Sequence, residues 1–322
     1  MTETVVVLDP ISEDSVTRLR ALLPPGLVLT HGTARGDDHL KEIIAGAEYA
    51  IAGQVGVSGE VLRAAPRLKL LHKWGVGVDN LDLETARALD IRVARTTGSN
   101  AVPVAEFTLG LTLAALRCIA FGHAELKKGH WRTATAMPMQ TFMLTGKTVG
   151  IIGFGAIGQA FARILKGFGC TILYSKRTPL SAAEEAALGA RFATLPEILA
   201  QADVITLNCP LTPETKNLID RKALAAMKPT AVLVNAARGG VVVESDLVDA
   251  LRARTIHAAA MDVYEIEPLP ADSPLLTLDN LVVTPHLAAI AADNFDKTVN
   301  QMFGNIARVA RGEPVPERDL VV

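Results

Sequence analysis

Cysteines, aromatic residues and excess charge are all scarce in this sequence of 322 residues. The three cysteines, Cys118, Cys170 and Cys209, lie far apart and lack the spacing of metal ligands, which predicts reduced packing residues and no metal site. The formal net charge is only −2 and no long basic block occurs, which argues against nucleic acid as a partner. The first residues, MTETVVVLDP, lack the features of a signal peptide, so we expect a cytoplasmic protein.

Only one apolar stretch, residues 101–122, approaches the length of a membrane span. Glu106 and Arg117 interrupt it, while Ser99 and Pro103 suit the cap and the first turn of a helix. An apolar helix of this kind in a globular protein is normally buried between domains or subunits. We therefore predict one buried helix here and no contact with a membrane.

Aliphatic residues, by contrast, are abundant and arranged in short runs. Hydrophobic residues make up 49% of the chain, and its length exceeds the roughly 250–300 residues at which single cores usually stop growing. Runs typical of β-strands alternate with helical stretches, which predicts an α/β protein with two doubly wound parallel sheets. In the first hundred residues the predicted strands are Thr4–Leu8, Tyr49–Ala52, Lys69–His72 and Arg92–Ala94. Later they are TVGIIG, TILYS, DVITLNC, AVLVNAA, HAAAMDV and LVVTPH, followed by a helical stretch from Ala288 to about Arg311.

A glycine-rich segment follows the first strand of the second set: Gly153-Phe154-Gly155-Ala156-Ile157-Gly158. In such a GxGxxG the first glycine permits a tight turn, the second lets the backbone approach a pyrophosphate, and the third lets helix and strand pack closely. A helix start then offers N–H groups to the phosphates. Because a strand precedes the motif and a helical pattern follows it, we predict a dinucleotide site rather than a plain glycine turn.

The segment Ser175-Lys176-Arg177-Thr178 follows the next predicted strand. NAD-binding units usually place Asp or Glu about twenty residues after the glycines, where it accepts hydrogen bonds from the ribose. This segment has no carboxylate, and its two cations and two hydroxyl groups suit the 2′-phosphate of NADP. The alternative is a solvated basic loop with NAD as cofactor. The missing carboxylate favours NADP.

Arg238 follows a predicted strand, Asp262 and His286 lie at the ends of the next two, and Glu265 and Glu267 lie on the loop after Asp262. The carboxyl ends of parallel strands share one edge of the sheet, where ligands bind. Hydride transfer to a carbonyl needs a proton donor that titrates near neutrality, which suits histidine, and a neighbouring carboxylate favours the imidazolium form. An arginine fork suits the carboxylate of a 2-oxo acid. Singly, each residue is equally typical of a surface loop, and either glutamate is a candidate partner.

These segments, in this order, resemble the D-isomer-specific 2-hydroxyacid dehydrogenase family. The resemblance covers nearly all of the chain, in KWGVGVDNLDLETARALDIRV, VPVAEFTLGL, GKTVGIIGFGAIGQAFARILKGFG, LNCPLTPETKNLID, KPTAVLVNAARGGVV, AMDVYEIEPLP and VVTPH. Members have an Arg in NxxRG, a Glu in DVxxxEP and a His in TPH, which match Arg238, Glu267 and His286. The resemblance implies that His286 is the proton donor or acceptor, Glu267 its partner and Arg238 the binder of the substrate carboxylate.

The resemblance also implies further contacts. Cofactor contacts are expected on the loop beside the adenosine and at two strand ends: Cys209, Pro210, Thr215, Ala236 and Asp262. Of these, Asp262 should contact the nicotinamide carboxamide. Substrate contacts are expected from two loops near the N-terminus, although simple turn chemistry is an alternative for them: Gln54, Val55, Val76 and Gly77.

At the level of domains, the resemblance implies a flavodoxin-like substrate-binding domain and a Rossmann nucleotide domain. The first should comprise residues 1–99 and 291–322, and the second residues 100–290. A homodimer built on the nucleotide domain is expected. The apolar helix of residues 101–122 should bridge the domains and lie near the dimer contact.

Three segments depart from the family pattern. His286 is followed by Leu287-Ala288-Ala289 instead of a glycine pair or Gly-Ser, which leaves the substrate range open. Ala136-Met137-Pro138-Met139 lies where some glyoxylate/hydroxypyruvate reductases send an aromatic residue across the dimer, and it suits either a larger substrate or interface packing. The loop of residues 53–56 has no arginine, which argues against a phosphorylated substrate, although Lys73 is a candidate for binding phosphate.

The sequence therefore predicts an NADPH-dependent reductase of a small 2-oxo acid, with glyoxylate and hydroxypyruvate as the leading substrates. One alternative is an NAD-dependent phosphoglycerate-type dehydrogenase. A second alternative is oxidation of formate or of phosphite. Formate-oxidising relatives carry Gln at the position of Glu267, and phosphite-oxidising relatives carry Lys at the position of Val76, so both residues argue against it. A third is a non-catalytic dinucleotide-sensing corepressor or scaffold, and the intact set of Arg238, Glu267 and His286 favours an enzyme instead.

Overall fold

The computed structural model describes residues 2–131 and 139–322 of the chain. The chain divides into two compact units, residues 1–100 with 290–322 and residues 101–289. The first unit is therefore assembled from two separate stretches of sequence, whereas the second is continuous. Of the segment Ala136-Met137-Pro138-Met139, only Met139 belongs to the described residues.

Five parallel strands form the sheet of the first unit. They are β1 (Glu3–Pro10), β2 (Leu27–Gly32), β3 (Tyr49–Ala52), β4 (Leu70–Lys73) and β5 (Arg92–Arg95). Their order in the sheet is β2-β1-β3-β4-β5, which is the flavodoxin-like order. The helices of this unit are α1 (Glu13–Leu22), α2 (Asp37–Ile44), α3 (Gly59–Arg63), α4 (Leu83–Ala88) and α12 (Phe295–Ala310).

Both faces of this sheet are buried. Along β1, Val5 and Val7 pack in a cluster with residues of α1 and α12, and Val6 and Leu8 pack in another with residues of α2 and α3. All four side chains are 0% exposed. Strands covered by helices on both faces read as continuous apolar runs, which is why VVVL predicted a strand from the sequence.

The last residues of the chain cover the edge strand β5. Val321 N donates to Val93 O at 2.8 Å, and Leu320 forms an antiparallel bridge with Ala94. Asp319, only 1% exposed, accepts hydrogen bonds from Thr97 N at 3.2 Å and from side chains of α12. The C-terminal residues therefore complete the first unit and protect a sheet edge that would otherwise be open.

A buried histidine joins β4 to α12. His72 is 0% exposed, with Nδ1 2.9 Å from Lys73 O and Nε2 3.1 Å from Asn305 Nδ2. Burial lowers the pKa of His72 to about 4, although the hydrogen bond to Lys73 O and the charge of Asp319 act in the opposite direction. The imidazole is therefore neutral in the folded protein at neutral pH.

Seven parallel strands form the sheet of the second unit. They are β6 (Thr148–Ile152), β7 (Thr171–Ser175), β8 (Ala190–Phe192), β9 (Val204–Leu207), β10 (Val232–Asn235), β11 (Ala258–Met261) and β12 (Leu281–Val283). Their order is β12-β11-β10-β9-β6-β7-β8, the doubly wound order of a Rossmann fold with one strand added. The helices are α5 (Ala101–Leu116), α6 (Ile119–Lys127), α7 (Ala156–Leu165), α8 (Ala182–Leu188), α9 (Leu195–Gln201), α10 (Arg221–Ala225) and α11 (Glu244–Arg252). The predicted fold class, two parallel-sheet α/β domains, is confirmed.

The apolar stretch after residue 100 forms two helices instead of the single helix we predicted. α5 ends at Leu116, whose carbonyl accepts a hydrogen bond from Phe142 N at 2.9 Å, and Cys118 adopts a left-handed φ of +52° before α6 begins. The side chain of α5 residue Leu111 lies in the core cluster of the second sheet. Over residues 2–131 and 139–322, no single helix meets the length and apolarity of a membrane span; α5 and α6, bent by 67°, do so only as a pair.

Candidate active site

The three glycines between β6 and α7 have three different environments. Gly153 has a φ of +93°, and a Cβ there would lie 2.4 Å from Cys209 N. A Cβ on Gly158 would lie 2.5 Å from Gly153 O, so this glycine allows α7 to start against the strand end. Nothing lies within 4 Å of the Cβ position of Gly155, so that side of the loop is open. A tight turn, an open surface and a close helix contact fit a bound pyrophosphate.

The start of α7 offers backbone N–H groups to such a ligand. Gln159 N bonds back to Gly155 O at 3.0 Å, whereas the N-cap residue, Gly155, has no capping side chain. The Phe154 ring is buried and stacks on Tyr174, with 4.2 Å between the ring centroids, so only its backbone can meet a ligand. The accessible residues at this point are Gly155, Ala156 and, in part, Ile157. Free donors and the positive end of a helix suit phosphate.

The basic segment after β7 begins beside the glycine turn, because Gly153 N donates to Ser175 O at 2.9 Å. Ser175 and Lys176 are half-buried, while Arg177 and Thr178 are exposed. The hydroxyl and the two cations are thus placed where the segment leaves the sheet edge. This arrangement fits a phosphate on the ribose.

The loop after β9 lies within electrostatic reach of that segment. A hydrogen bond from the Thr212 hydroxyl lowers the pKa of Glu214, and the positive charge of Arg177 lowers it further. Thr215 Oγ1 donates to Pro210 O at 2.6 Å and so closes the loop on itself. The predicted adenosine-side residues therefore lie on a compact loop near Arg177.

Arg238 lies just beyond the end of β10, on a turn that a buried amide holds. Asn235 Nδ2 donates to Arg238 O at 2.9 Å, and Asn235 Oδ1 accepts from Ala237 N at 3.0 Å. Ala236, Ala237 and Arg238 are all half-buried. One guanidinium nitrogen of Arg238 donates to Ala237 O at 2.7 Å. The backbone from which the guanidinium projects is thus fixed by the core.

His286 and Glu267 are in direct contact. His286 Nδ1 lies 2.6 Å from Glu267 Oε2, and Glu267 Oε1 accepts from Tyr264 N at 3.0 Å. Burial alone raises the pKa of Glu267, but the bonds from His286 and Tyr264 N, with the charges of His286 and Arg238, bring it below its ordinary value. The carboxylate therefore stays ionised beside the imidazole, and Arg238 lies within electrostatic reach of the carboxylate.

Asp262 holds the turn that presents His286. Its carboxylate accepts from Thr284 Oγ1 at 2.6 Å and from the N–H groups of Leu287 and Ala288 at 2.9 Å each. His286 N donates to Asp262 O at 2.8 Å, and His286 adopts a φ of +55°. Asp262 is 0% exposed. The sequence placed this aspartate at the sheet edge but did not indicate that its carboxylate binds the histidine turn.

In the first unit, Asp9 at the end of β1 caps the loop after β3. Its carboxylate accepts hydrogen bonds from the N–H groups of Gly53, Gln54 and Val55. The Val55 side chain is only 3% exposed and packs in the core, which leaves Gln54 as the exposed one of the two predicted contacts on this loop. Lys73 Nζ donates to Gly53 O and to Asn80 Oδ1, so the ammonium group we considered for phosphate binding holds the loop backbone.

Two features on loops of the first unit bear on anion binding. The N–H groups of Val76 and Gly77 have no hydrogen-bond partner among residues 2–131 and 139–322. Arg35, on the loop after β2, donates to Gln54 Oε1 at 3.2 Å. No motif in the sequence singles out Arg35, and its position after β2, a strand that was not predicted, is the one signal for it.

Comparison with known proteins identifies the family of this chain. Residues 109–288 match the family model for the D-isomer specific 2-hydroxyacid dehydrogenase NAD binding domain. The chain is 37% identical over 311 residues to D-3-phosphoglycerate dehydrogenase of Methanocaldococcus jannaschii, an alignment that covers 96% of this chain and 58% of that protein. It is 39% identical over 264 residues to glyoxylate reductase of Pyrococcus furiosus, covering 81% of this chain and 78% of that one.

Among solved structures, an NADPH-dependent glyoxylate/hydroxypyruvate reductase from Sinorhizobium meliloti, in complex with NADP and malonate, is similar with a TM-score of 0.85. It is 28% identical, and the match covers 100% of this chain and 97% of that one. The chain spans only about half the length of several curated phosphoglycerate dehydrogenases that it matches. On the family model and these identities, the chain belongs to the D-isomer specific 2-hydroxyacid dehydrogenase family.

Proposed function

We propose that this protein transfers a hydride between NADP and a small 2-oxo or D-2-hydroxy acid. The observation that carries the proposal is the 2.6 Å contact between His286 Nδ1 and Glu267 Oε2, on the edge of the sheet where Arg238 also lies. The cofactor, when bound, supplies or accepts the hydride. The protein must then transfer one proton to or from the substrate oxygen and bind the carboxylate of the substrate.

His286 is proposed as the acid and base. In reduction it donates a proton to the carbonyl oxygen, and in oxidation it takes one from the hydroxyl group. Since Nδ1 faces Glu267, Nε2 is left for the substrate. The Glu267 carboxylate orients the ring and stabilises the imidazolium that reduction consumes.

Arg238 is proposed to bind the substrate carboxylate. A guanidinium fork forms two parallel hydrogen bonds with a carboxylate and so orients the neighbouring carbonyl. The unpaired N–H groups of Val76 and Gly77 support a second carboxylate contact in the first unit. Gln54 remains a candidate contact on the strength of its exposed side chain.

The cofactor preference is proposed from the segment Ser175-Lys176-Arg177-Thr178, whose exposed cation and hydroxyl suit a 2′-phosphate. The contacts expected from the loop beside the adenosine and from Ala236 and Asp262 remain predictions. The Asp262 carboxylate also accepts hydrogen bonds from the turn that presents His286. Comparison of KM for NADPH and NADH tests the preference. A lower KM for NADH would overturn it.

Glyoxylate and hydroxypyruvate are the proposed substrates. Each has one carboxylate and no phosphate, and the Arg238 turn carries no second cation that could bind a phosphate. A panel of 2-oxo acids, assayed with NADPH by the loss of reduced-nicotinamide absorbance, should show the highest kcat/KM for one of these two. Inactivity on every 2-oxo acid, with NADP(H) still bound, would favour a dinucleotide-sensing role and reject the proposal.

A phosphorylated substrate is the second candidate, because Arg35 reaches Gln54 on the predicted substrate loop. A guanidinium at this loop is the kind of group that binds a phosphate, and one curated relative is a D-3-phosphoglycerate dehydrogenase. Oxidation of 3-phosphoglycerate by the wild type, lost in Arg35→Ala, would establish this candidate over the first.

We also propose a homodimer through the second unit. Ile119 and Leu126 on α6 are each 56% exposed, and Trp131 beyond it is 81% exposed. Large exposed apolar side chains that lie close together mark interaction surfaces. Light scattering should give twice the chain mass of 34.1 kDa, and a monomeric mass would reject the dimer. A cytoplasmic location stays a prediction.

A further inference from the structure

Two glutamates outside the proposed catalytic set bind each other's backbone. Glu244 N donates to Glu265 Oε1 at 3.0 Å, and Glu265 N donates to Glu244 Oε1 at 2.6 Å. Glu244 is the first residue of α11, and Glu265 lies on the loop after β11, two residues before Glu267. This reciprocal pair therefore ties the start of a helix to the loop that carries the partner of His286.

The start of α11 explains the first hydrogen bond of the pair, from Glu244 N to Glu265 Oε1. The N-cap residue of α11 is Val243, which has no side-chain oxygen for the free N–H groups of the first turn. The Glu265 carboxylate supplies that acceptor from another segment, where a negative charge is also favoured by the helix dipole. A serine at the N-cap would satisfy the helix alone, so a purely local capping role does not need Glu265.

The second hydrogen bond, from Glu265 N to Glu244 Oε1, holds the loop of residues 264–267. A Cβ on Gly239, next to Arg238, would lie 1.9 Å from the carbonyl carbon of Tyr264, so the loop is already pressed against the turn after β10. The hydrogen bond from Glu265 N to Glu244 Oε1 is a second attachment of this loop. Glu267 then bonds Tyr264 N and His286 on the same short loop. The loop of residues 264–267 is therefore held at Tyr264 and at Glu265, and it carries the carboxylate that bonds His286.

The charges around the pair favour this interpretation. Glu244 faces Glu265, Glu267 and the Tyr264 hydroxyl, and His286 faces Glu267, with Arg238 within electrostatic reach. Burial raises the pKa of Glu244, and the charges of Glu265 and Glu267 raise it further. Grouped carboxylates repel each other, but together they favour a protonated imidazole close by.

We infer that Glu244 and Glu265 are positioning residues that hold the loop bearing Glu267, and through it His286, in the geometry for proton transfer. The inference rests on the proposed reductase function. Neither glutamate touches substrate or cofactor in this role. Their effect should therefore appear in kcat and in the pH profile, while cofactor binding is unchanged.

Glu244→Ala removes the acceptor of Glu265 N, and we expect kcat for 2-oxo acid reduction to fall about tenfold or more, since small displacements of reacting groups have large effects. Cofactor affinity, measured by NADPH fluorescence, should stay at the wild-type value. Glu244→Gln keeps the acceptor oxygen, so kcat should recover. Because one negative charge is lost, the alkaline loss of reductase activity should begin at lower pH.

Asp249→Asn is the matched control, because it removes a carboxylate from the same helix whose partner is the exposed Arg221. It should change neither kcat nor the pH profile. Wild-type kcat and an unshifted profile in both Glu244 variants would overturn the inference, even if melting temperature falls. If Glu244→Ala does not fold, the pH profile of Glu244→Gln decides alone. Inactive wild-type protein would instead reject the proposed function, and NMR titration of the His286 ring in Glu244→Gln then tests the pair without turnover.

Discussion

At the scale of single residues, the proposed proton-transfer role of His286 predicts that its loss affects turnover and leaves cofactor binding unchanged. We expect His286→Ala to lower kcat by about 10²- to 10⁴-fold, the usual contribution of a positioned acid or base. NADPH affinity should change little, because the phosphate contacts lie on the glycine loop and α7. His123→Ala, on the exposed side of α6, is the control. Stopped-flow or steady-state kinetics that gave a wild-type kcat for His286→Ala would contradict the assignment.

Arg238 is expected to act through its shape as well as its charge. Arg238→Lys keeps the positive charge but loses the fork, so kcat/KM for a 2-oxo acid should fall roughly 10- to 100-fold. Arg252→Lys, at the exposed end of α11, should leave kcat/KM unchanged. Full activity of Arg238→Lys in the same assay would show that the guanidinium does not hold the substrate.

How far the site could be predicted depends on which contacts the sequence encodes locally. Arg238, Glu267 and His286 follow strands of one parallel sheet, and the edge rule together with the family resemblance was enough to group them. The binding of Asp262 to the turn after β12 and the contact of Arg35 with Gln54 depend on turn geometry, which residue type does not encode. Their partners lie 22 and 19 residues away along the chain.

At the scale of elements, the contact between the turn after β10 and the loop after β11 depends on Gly239. Gly239→Ala would place a Cβ 1.9 Å from the Tyr264 backbone, which has no flexible side chain to yield. We expect a loss of about 1–3 kcal/mol in stability and a large fall in kcat as the loop is displaced. Thermal melting and kinetics measure both.

Gly240→Ala is the neighbouring control for that change. Its Cβ would meet only the Leu211 side chain, at 3.3 Å, so the leucine can adjust. Activity should remain near that of the wild type. Equal effects of the two substitutions would show that the loop contact is not the cause.

Two strands, β2 and β8, could not be predicted from the sequence. Each lies at one edge of its sheet and pairs with only one neighbour, as β5 and β12 do at the other edges. The burial of β2 alternates with exposure and β8 has only three residues, so neither forms the long apolar run that the buried strands show. The break between α5 and α6 was equally hidden, because the Phe142 contact that ends α5 comes from a distant residue.

At the scale of the whole molecule, His72 makes the stability of the first unit sensitive to acid. Its folded pKa of about 4 lies below the ordinary value of 6.5, so the unfolded chain takes the proton first as the pH falls. Stability from this group is complete above pH 6.5 and is lost progressively towards pH 4. Between pH 7 and pH 5 the loss should be about 2 kcal/mol.

Urea unfolding, followed by Trp74 fluorescence in a Trp131→Phe background, measures that loss in the first unit. His72→Gln should show a pH dependence weaker by about 2 kcal/mol than that of the parent, whatever its absolute stability. His123→Gln should keep the full dependence. A His72→Gln variant that is as acid-sensitive as its parent would contradict the role of this imidazole.

The discontinuity of the first unit has a consequence for synthesis in the cell. Residues 1–100 leave the ribosome before α12 and the residues that cover β5, which belong to the segment 290–322. At about 5–20 residues per second, the wait between the two is on the order of ten seconds or more. During that time the apolar face that α12 will cover is exposed on the nascent chain, and the residues of the continuous second unit are being made. The first unit therefore completes its core only after the whole second unit has been made.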